Sequence, residues 1–419
     1  MSVIHHQTGS ASRRGAPSIG LLFSLVAVSI ALLNVAANSA PLLTGDGGTP
    51  AFYAWSGELD GQPGKILRQE PGTVDLANAG QSVRILYIST DGLDGKRKVA
   101  VSGVLYVPKG VAPKDGWPLI AWAHGTVGVA DVCAPSFGGR SERDLTYLNF
   151  WLQQGYAIVA TDYQGLGVPG AHPYLATRPE AYSVLDSIRA AQSSSFGLSK
   201  KVVVVGQSQG GSAAFATAGY APSYAPELDI RGTVATGVPY FSQEARAAMR
   251  AKRSRDAVDW RLGYTFLLLS TVEQIDHSFS ITDYVSDAAL PVAIGASKTC
   301  LRQIARQTID AKLTYNLSFK KDPAPMLNKA VELMGFPTLS IKGPVFLGTG
   351  GRDADVPPEV QLHLGADACA NGTRIEQHVY PELDHSGAVN ASTVDSVVFV
   401  RKTFAGEEIG GNCASRPRL

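Results

Sequence analysis

The stretch KVVVVGQSQGGSAA, Lys201 to Ala214, leaves a chain few ways to fold. Four consecutive β-branched residues suit a strand buried on both faces. Small helix-tolerant residues follow at Gly211 to Ala214. Between them Gly-x-Ser-x-Gly forces a sharp corner, with Gly206 and Gly210 permitting the tight turn and close helix–strand packing. In a chain with 44 glycines the five-residue pattern alone says little. A strand before it and a helix after it describe a serine held out on a strained turn, ready to act as a nucleophile. Backbone N–H groups at a helix start also favour developing negative charge.

The flanking sequence predicts more of the same alternation. Gln81 to Thr90 and Lys98 to Pro108 read as antiparallel strands joined by the turn-rich DGLDGK. Pro118 to Trp122, Tyr156 to Thr161, Arg231 to Gly237, Pro344 to Leu347 and Arg374 to Tyr380 read as further strands. Glu142 to Gln153 and Arg178 to Gln192 carry helical periodicity. Strands alternating with helices imply an α/β protein with a mainly parallel, doubly wound sheet. Residues 239–343 lack a strand pattern and are mostly helix-like. A structureless loop of that size is implausible in a compact domain, so an inserted helical cap is expected. The expected organisation is a leader at 1–40, a core at 41–238, the cap at 239–343, and the rest of the core at 344–419.

The leader reading rests on Arg13 and Arg14, then an apolar run from Ile19 to Ala37 ending in small residues, with cleavage expected between Ala37 and Ala40. An uncleaved anchor is the competing reading. Cleavage implies a secreted protein, extracellular or periplasmic. Four cysteines then lie in an oxidising compartment, and two disulfides are expected, with three possible pairings.

Charged residues make up 17% and formal net charge is +1, so nothing in the composition attracts nucleic acid. Gly165-Leu-Gly167-Val-Pro-Gly170 matches G-x-G-x-x-G, but Pro169 and Pro173 precede the next helical pattern, so no helix opens where a pyrophosphate would need it. No cofactor or metal-ligand spacing is found. EARAAMRAKRSRD, with five basic residues, reads as a solvated helix face, with transient contact to an anionic lipid interface through the cap as the second reading.

Ser208 needs a base. His5 and His6 fall in the leader, His124 and His172 precede the serine, and His277 lies in the expected cap. His363 sits in a helix-like stretch and His378 inside a strand. His385 remains, in the loop YPELDHSGA after the last strand, where a mobile imidazole belongs. PVFLGTGGRDADVP offers two acids, Asp353 and Asp355, near a strand end, and propensity does not choose between them. Asp353 directly follows the flexible Gly350-Gly351-Arg352 turn. For the oxyanion, two N–H donors are expected: Gln209, after the serine, and Thr126 in IAWAHGTVG.

These residues resemble the secretory lipase family, a branch of the α/β-hydrolases. The resemblance rests on HGTVGVADVCAPS, GYAIVATDYQGLG with HPYL, GQSQGG, DADVP and YPELDHSG, across most of Ala51 to Cys413. It implies the α/β-hydrolase fold with a helical cap, a triad of Ser208, Asp353 and His385, and hydrolysis of carboxylic esters or lipids. Its D-x-x-V-P spacing favours Asp353. It also implies the pairings Cys133–Cys300 and Cys369–Cys413. An acyltransferase on the same acyl-enzyme and a non-catalytic lipid-binding relative are the alternatives. Flanking positions vary in the family, so Gln207 and Gln209 carry no side-chain expectation.

Overall fold

The computed structural model describes residues 47–73, 75–251 and 254–417. The expected leader and its cleavage region lie outside them. Among the described residues no helix is long and apolar enough to cross a membrane.

Among the described residues nine strands form one sheet in the order β1-β2-β3-β5-β4-β6-β7-β8-β9. They are β1 (Ile66–Pro71), β2 (Ala79–Thr90), β3 (Lys98–Pro108), β4 (Trp117–Ala123), β5 (Ala157–Thr161), β6 (Leu198–Gln207), β7 (Asp229–Thr236), β8 (Val345–Gly350) and β9 (Ile375–Tyr380). β1, β2, β3 and β5 pair antiparallel, and the pairings from β5 through β4 to β9 are parallel. The fold is that of an α/β-hydrolase.

β6 lies between β4 and β7, which explains its valines. Val203 and Val205 face one side, packed with Trp151 and Leu148 of helix Glu142–Gln153 and with Phe399 and Val400 of helix Thr393–Ala405. Val202 and Val204 face the other, against Val184 and Ile188 of helix Thr177–Gln192 and Ala213 and Ala214 of helix Gln209–Tyr224. All four valines are 0% exposed. Each contributes about 1.5–3 kcal/mol of burial, so the run anchors the corner that follows it.

Between β7 and β8 the chain is helical. Gln243–Ala251, Leu262–Ile275, Leu301–Asp310 and Ala324–Glu332 are its longer helices. Phe266, Leu269, Ile304, Leu313 and Ala330 form a core of their own, which also takes in Val129, Tyr174 and Leu175 from the sheet's loops. Disulfides join Cys133 to Cys300 and Cys369 to Cys413. The first ties the loop after β4 to the start of helix Leu301–Asp310. In the basic stretch Arg246 donates to Asn328 and Arg255 to Asn316. Lys252 and Arg253 fall outside the described residues.

Candidate active site

Ser208 ends β6 and precedes helix Gln209–Tyr224 with φ 57° and ψ −121°. A non-glycine residue there costs on the order of 1–3 kcal/mol, and surrounding packing must hold it. The glycines do so by vanishing: a Cβ on Gly206 would lie 1.9 Å from the Gly210 carbonyl oxygen, and one on Gly210 would lie 1.9 Å from that of Ala123. The Ser208 N–H donates to the Thr236 carbonyl at 2.8 Å, pinning the corner to β7.

His385 is buried in the loop after β9. Its neighbour Asp384 accepts from the Ser386 and Gly387 N–H groups, so that acid builds the loop. The imidazole lies over Gly237, at φ 60°, where a Cβ would come within 2.7 Å of Cε1. Its Nδ1 donates to Asp353 Oδ2 at 2.6 Å. The other Asp353 oxygen accepts from the N–H groups of Asp355 and Val356 at 2.9 and 2.8 Å, and Gln361 Nε2 donates to Oδ2 at 2.8 Å. The carboxylate is held from every side. Asp355 instead accepts from the Tyr264 hydroxyl at 2.6 Å. Ligand atoms of Asp353, Asp355 and His385 lie close enough for a cation, but they are already committed to these hydrogen bonds.

With the proton on Nδ1, His385 Nε2 is an acceptor. Among the described residues its partner is the Gln207 side-chain amide, 2.9 Å away, rather than Ser208. Gln207 reaches it across Gly125, where a Cβ would lie 2.3 Å from the Gln207 amide oxygen.

Thr126, in the loop after β4, bonds the Tyr174 hydroxyl through its own at 2.8 Å. Gln209 opens the helix, where a first-turn N–H has no intrahelical acceptor. Its side chain is buried behind the corner. The amide donates to Glu180 Oε1 at 2.8 Å and to His172 Nε2 at 3.0 Å. His172 Nδ1 donates to the Gln164 carbonyl at 2.9 Å. Burial pushes the Glu180 carboxyl up to about 8, with the Gln209 bond opposing. Burial likewise pushes His172 down to about 4, so the imidazole stays neutral.

The site thus brings together Ser208, Thr126 and Gln209 around one cavity, which Asp355 also lines. Asp353 and His385 are joined beside the same corner. Sequence reasoning passed over Gln207, Glu180 and His172. Their roles come from side-chain reach across the sheet, which no spacing encodes. The quoted blocks also meet: Asp162 of DYQGLG accepts from the Ser136 N–H of CAPS at 2.9 Å and from the Ser102 hydroxyl at 2.7 Å. The G-x-G-x-x-G lies in the loop between β5 and helix Thr177–Gln192, and no helix opens on it.

Residues 137–248 match the family model of the secretory lipases. Over that stretch the chain is similar to the secretory lipases. It is 26% identical over 385 residues to a secreted triacylglycerol lipase of Malassezia furfur, covering 84% of this chain and 74% of that one. Over 212 residues it is 30% identical to a probable inactive lipase of Mycobacterium tuberculosis, covering 46% and 45% of the two chains. In fold the chain is similar to Candida antarctica lipase A in its closed state, with TM-score 0.67 and 21% identity, covering 91% of this chain and 87% of that chain.

Proposed function

We propose that this chain is a secreted serine hydrolase that cleaves carboxylic esters through an acyl-enzyme on Ser208. The observation that carries the reading is the buried Asp353–His385 hydrogen bond of 2.6 Å beside a serine held at positive φ. His385 Nε2, once released by Gln207, takes the Ser208 proton as Oγ attacks the ester carbonyl. The N–H groups of Gln209 and Thr126 hold the oxyanion, reinforced by the start of a 16-residue helix. Asp353 stabilises the imidazolium, which then protonates the leaving alcohol. Water repeats the sequence on the acyl-enzyme. The helical segment between β7 and β8 acts as a cap, contributing Arg261, Tyr264, Thr265 and Leu268 to the cavity that holds Ser208. Two disulfides and the secreted relatives support export. The intact Asp353–His385 pair speaks against an inactive relative.

An active-site-directed phosphonate tests the reading. It should label Ser208, and Ser208→Ala should abolish labelling and nearly all ester cleavage. Normal turnover in that variant would overturn it.

A further inference from the structure

The cavity at Ser208 is small, and part of its wall is polar. Its volume is about 150 Å³. Leu175, Phe241, Leu268 and Val356 supply apolar wall. Tyr264, Asp355 and Arg261 line the same space. The Tyr264 hydroxyl donates to Asp355 at 2.6 Å, and Arg261 donates to the Ala354 carbonyl and to Asp259, each at 2.8 Å. Asp355 and Arg261 are both partly exposed and keep some contact with water. A long alkyl chain threaded past them would strip that water without replacing its hydrogen bonds.

We infer that the substrates are short-chain carboxylic esters, because the apolar wall at Ser208 shares its cavity with the charged Asp355 and Arg261. The inference rests on the ester-hydrolase reading above and narrows it. The polar wall works as a stop. An acyl chain that ends before Asp355 and Arg261 buries only against Leu175, Phe241, Leu268 and Val356. A fatty chain must either displace the cap side chains or desolvate two charged side chains, Asp355 and Arg261. Tyr264, Thr265 and Leu268 sit on one helix, Leu262–Ile275, whose Phe266, Leu267, Leu269 and Val272 are buried in the helical segment's core. That helix therefore cannot retreat from the cavity without opening its core, and the limit is built into packing.

The test is kcat/KM on 4-nitrophenyl acetate, butyrate, hexanoate and laurate, each below its solubility limit, with phosphonate labelling of Ser208 in parallel. Butyrate should exceed laurate by at least about a hundredfold, since even one misplaced methylene can cost tenfold or more. Leu268→Ala and Phe241→Ala, made separately, should each raise the laurate-to-butyrate ratio by about tenfold, on the same scale. Laurate cleaved within tenfold of butyrate, or ratios unmoved in both folded variants, would overturn the acyl limit and leave ester hydrolysis standing. No cleavage of any ester, with Ser208 unlabelled, would overturn ester hydrolysis and the limit with it.

Discussion

The Gln207 amide donates to His385 Nε2 at 2.9 Å, on the nitrogen that must receive a proton if Ser208 is the nucleophile. One lone pair cannot serve both groups at full strength. Asp353 already orients the ring through Nδ1, so Gln207 adds little to its alignment and competes with the Ser208 hydroxyl. Gln207→Ala should therefore speed phosphonate labelling of Ser208, by roughly two- to twelvefold if one net hydrogen bond of about 0.5–1.5 kcal/mol is removed. Slower labelling of folded protein would show that Gln207 supports the base.

Asp353 and Asp355 separate cleanly. Asp353 faces His385, while Asp355 faces Tyr264. Asp353→Asn can keep its backbone bonds to Asp355 and Val356 yet cannot stabilise an imidazolium. Turnover of an acetate ester should fall by roughly ten-thousandfold. Asp355→Asn should stay within about tenfold of wild type on the same ester, because its carboxylate borders the cavity without touching the base. Steady-state kinetics with a thermal melt for each variant decides it, and the reverse pattern would transfer the role.

Glu180 gives a pH signature. Burial raises its carboxyl from 4.5 to about 8, so the folded chain keeps a proton that the unfolded chain loses. Its contribution to stability is complete below pH 4.5 and is lost as pH rises through about 8. His172 acts in the opposite sense: its contribution is complete above pH 6.5 and is lost as pH falls through about 4. Between pH 6.5 and 8 only Glu180 of this pair changes. Wild type should lose roughly 2 kcal/mol across that window through this group. Urea melts of Glu180→Gln at both pH values should lack that loss, and an identical slope in both proteins would refute the assignment.

The disulfides should rank by the chain they enclose. Separations of 167 and 44 residues correspond to roughly 5 and 4 kcal/mol of restricted unfolded-chain entropy. Replacing Cys133 and Cys300 by Ser should lower the urea midpoint more than replacing Cys369 and Cys413. Finding the second pair more costly would mean that the C-terminal turn, where the Asn412 N–H bonds Ile375 at 2.7 Å, carries more of the core than its length suggests.

Much of the sheet was legible because its central strands are short, apolar and bounded by turn residues. Val202 to Val205 and Ala157 to Thr161 announce themselves, and helix Glu142–Gln153 begins and ends where its pattern does. β1 was not legible: ILRQEP is a half-exposed edge strand with no alternation to read. β8 runs on to Gly350, past the expected Leu347, because Gly348, Thr349 and Gly350 pair with His378, Val379 and Tyr380. Glycines give no propensity signal for that extension. At the site, Ser208 and His385 stood out through local context. The choice between the two acids needed the resemblance, since both follow one strand within three residues of each other. Gln207 and Gln209 look alike in sequence. One faces His385 and the other faces Glu180 and His172, a distinction made by the corner at Ser208, which turns these side chains to opposite sides.

The shared core of the helical segment carries a kinetic meaning. Val129, Tyr174 and Leu175 pack into the same cluster as Phe266 and Ile304, and a disulfide fastens the segment to the loop that bears Thr126. A flap that swings away on meeting an oil droplet would have to tear that cluster open and expose it. Dissolved ester should reach Ser208 without any such event. The rate should then climb smoothly with substrate, with no jump where the solution turns cloudy.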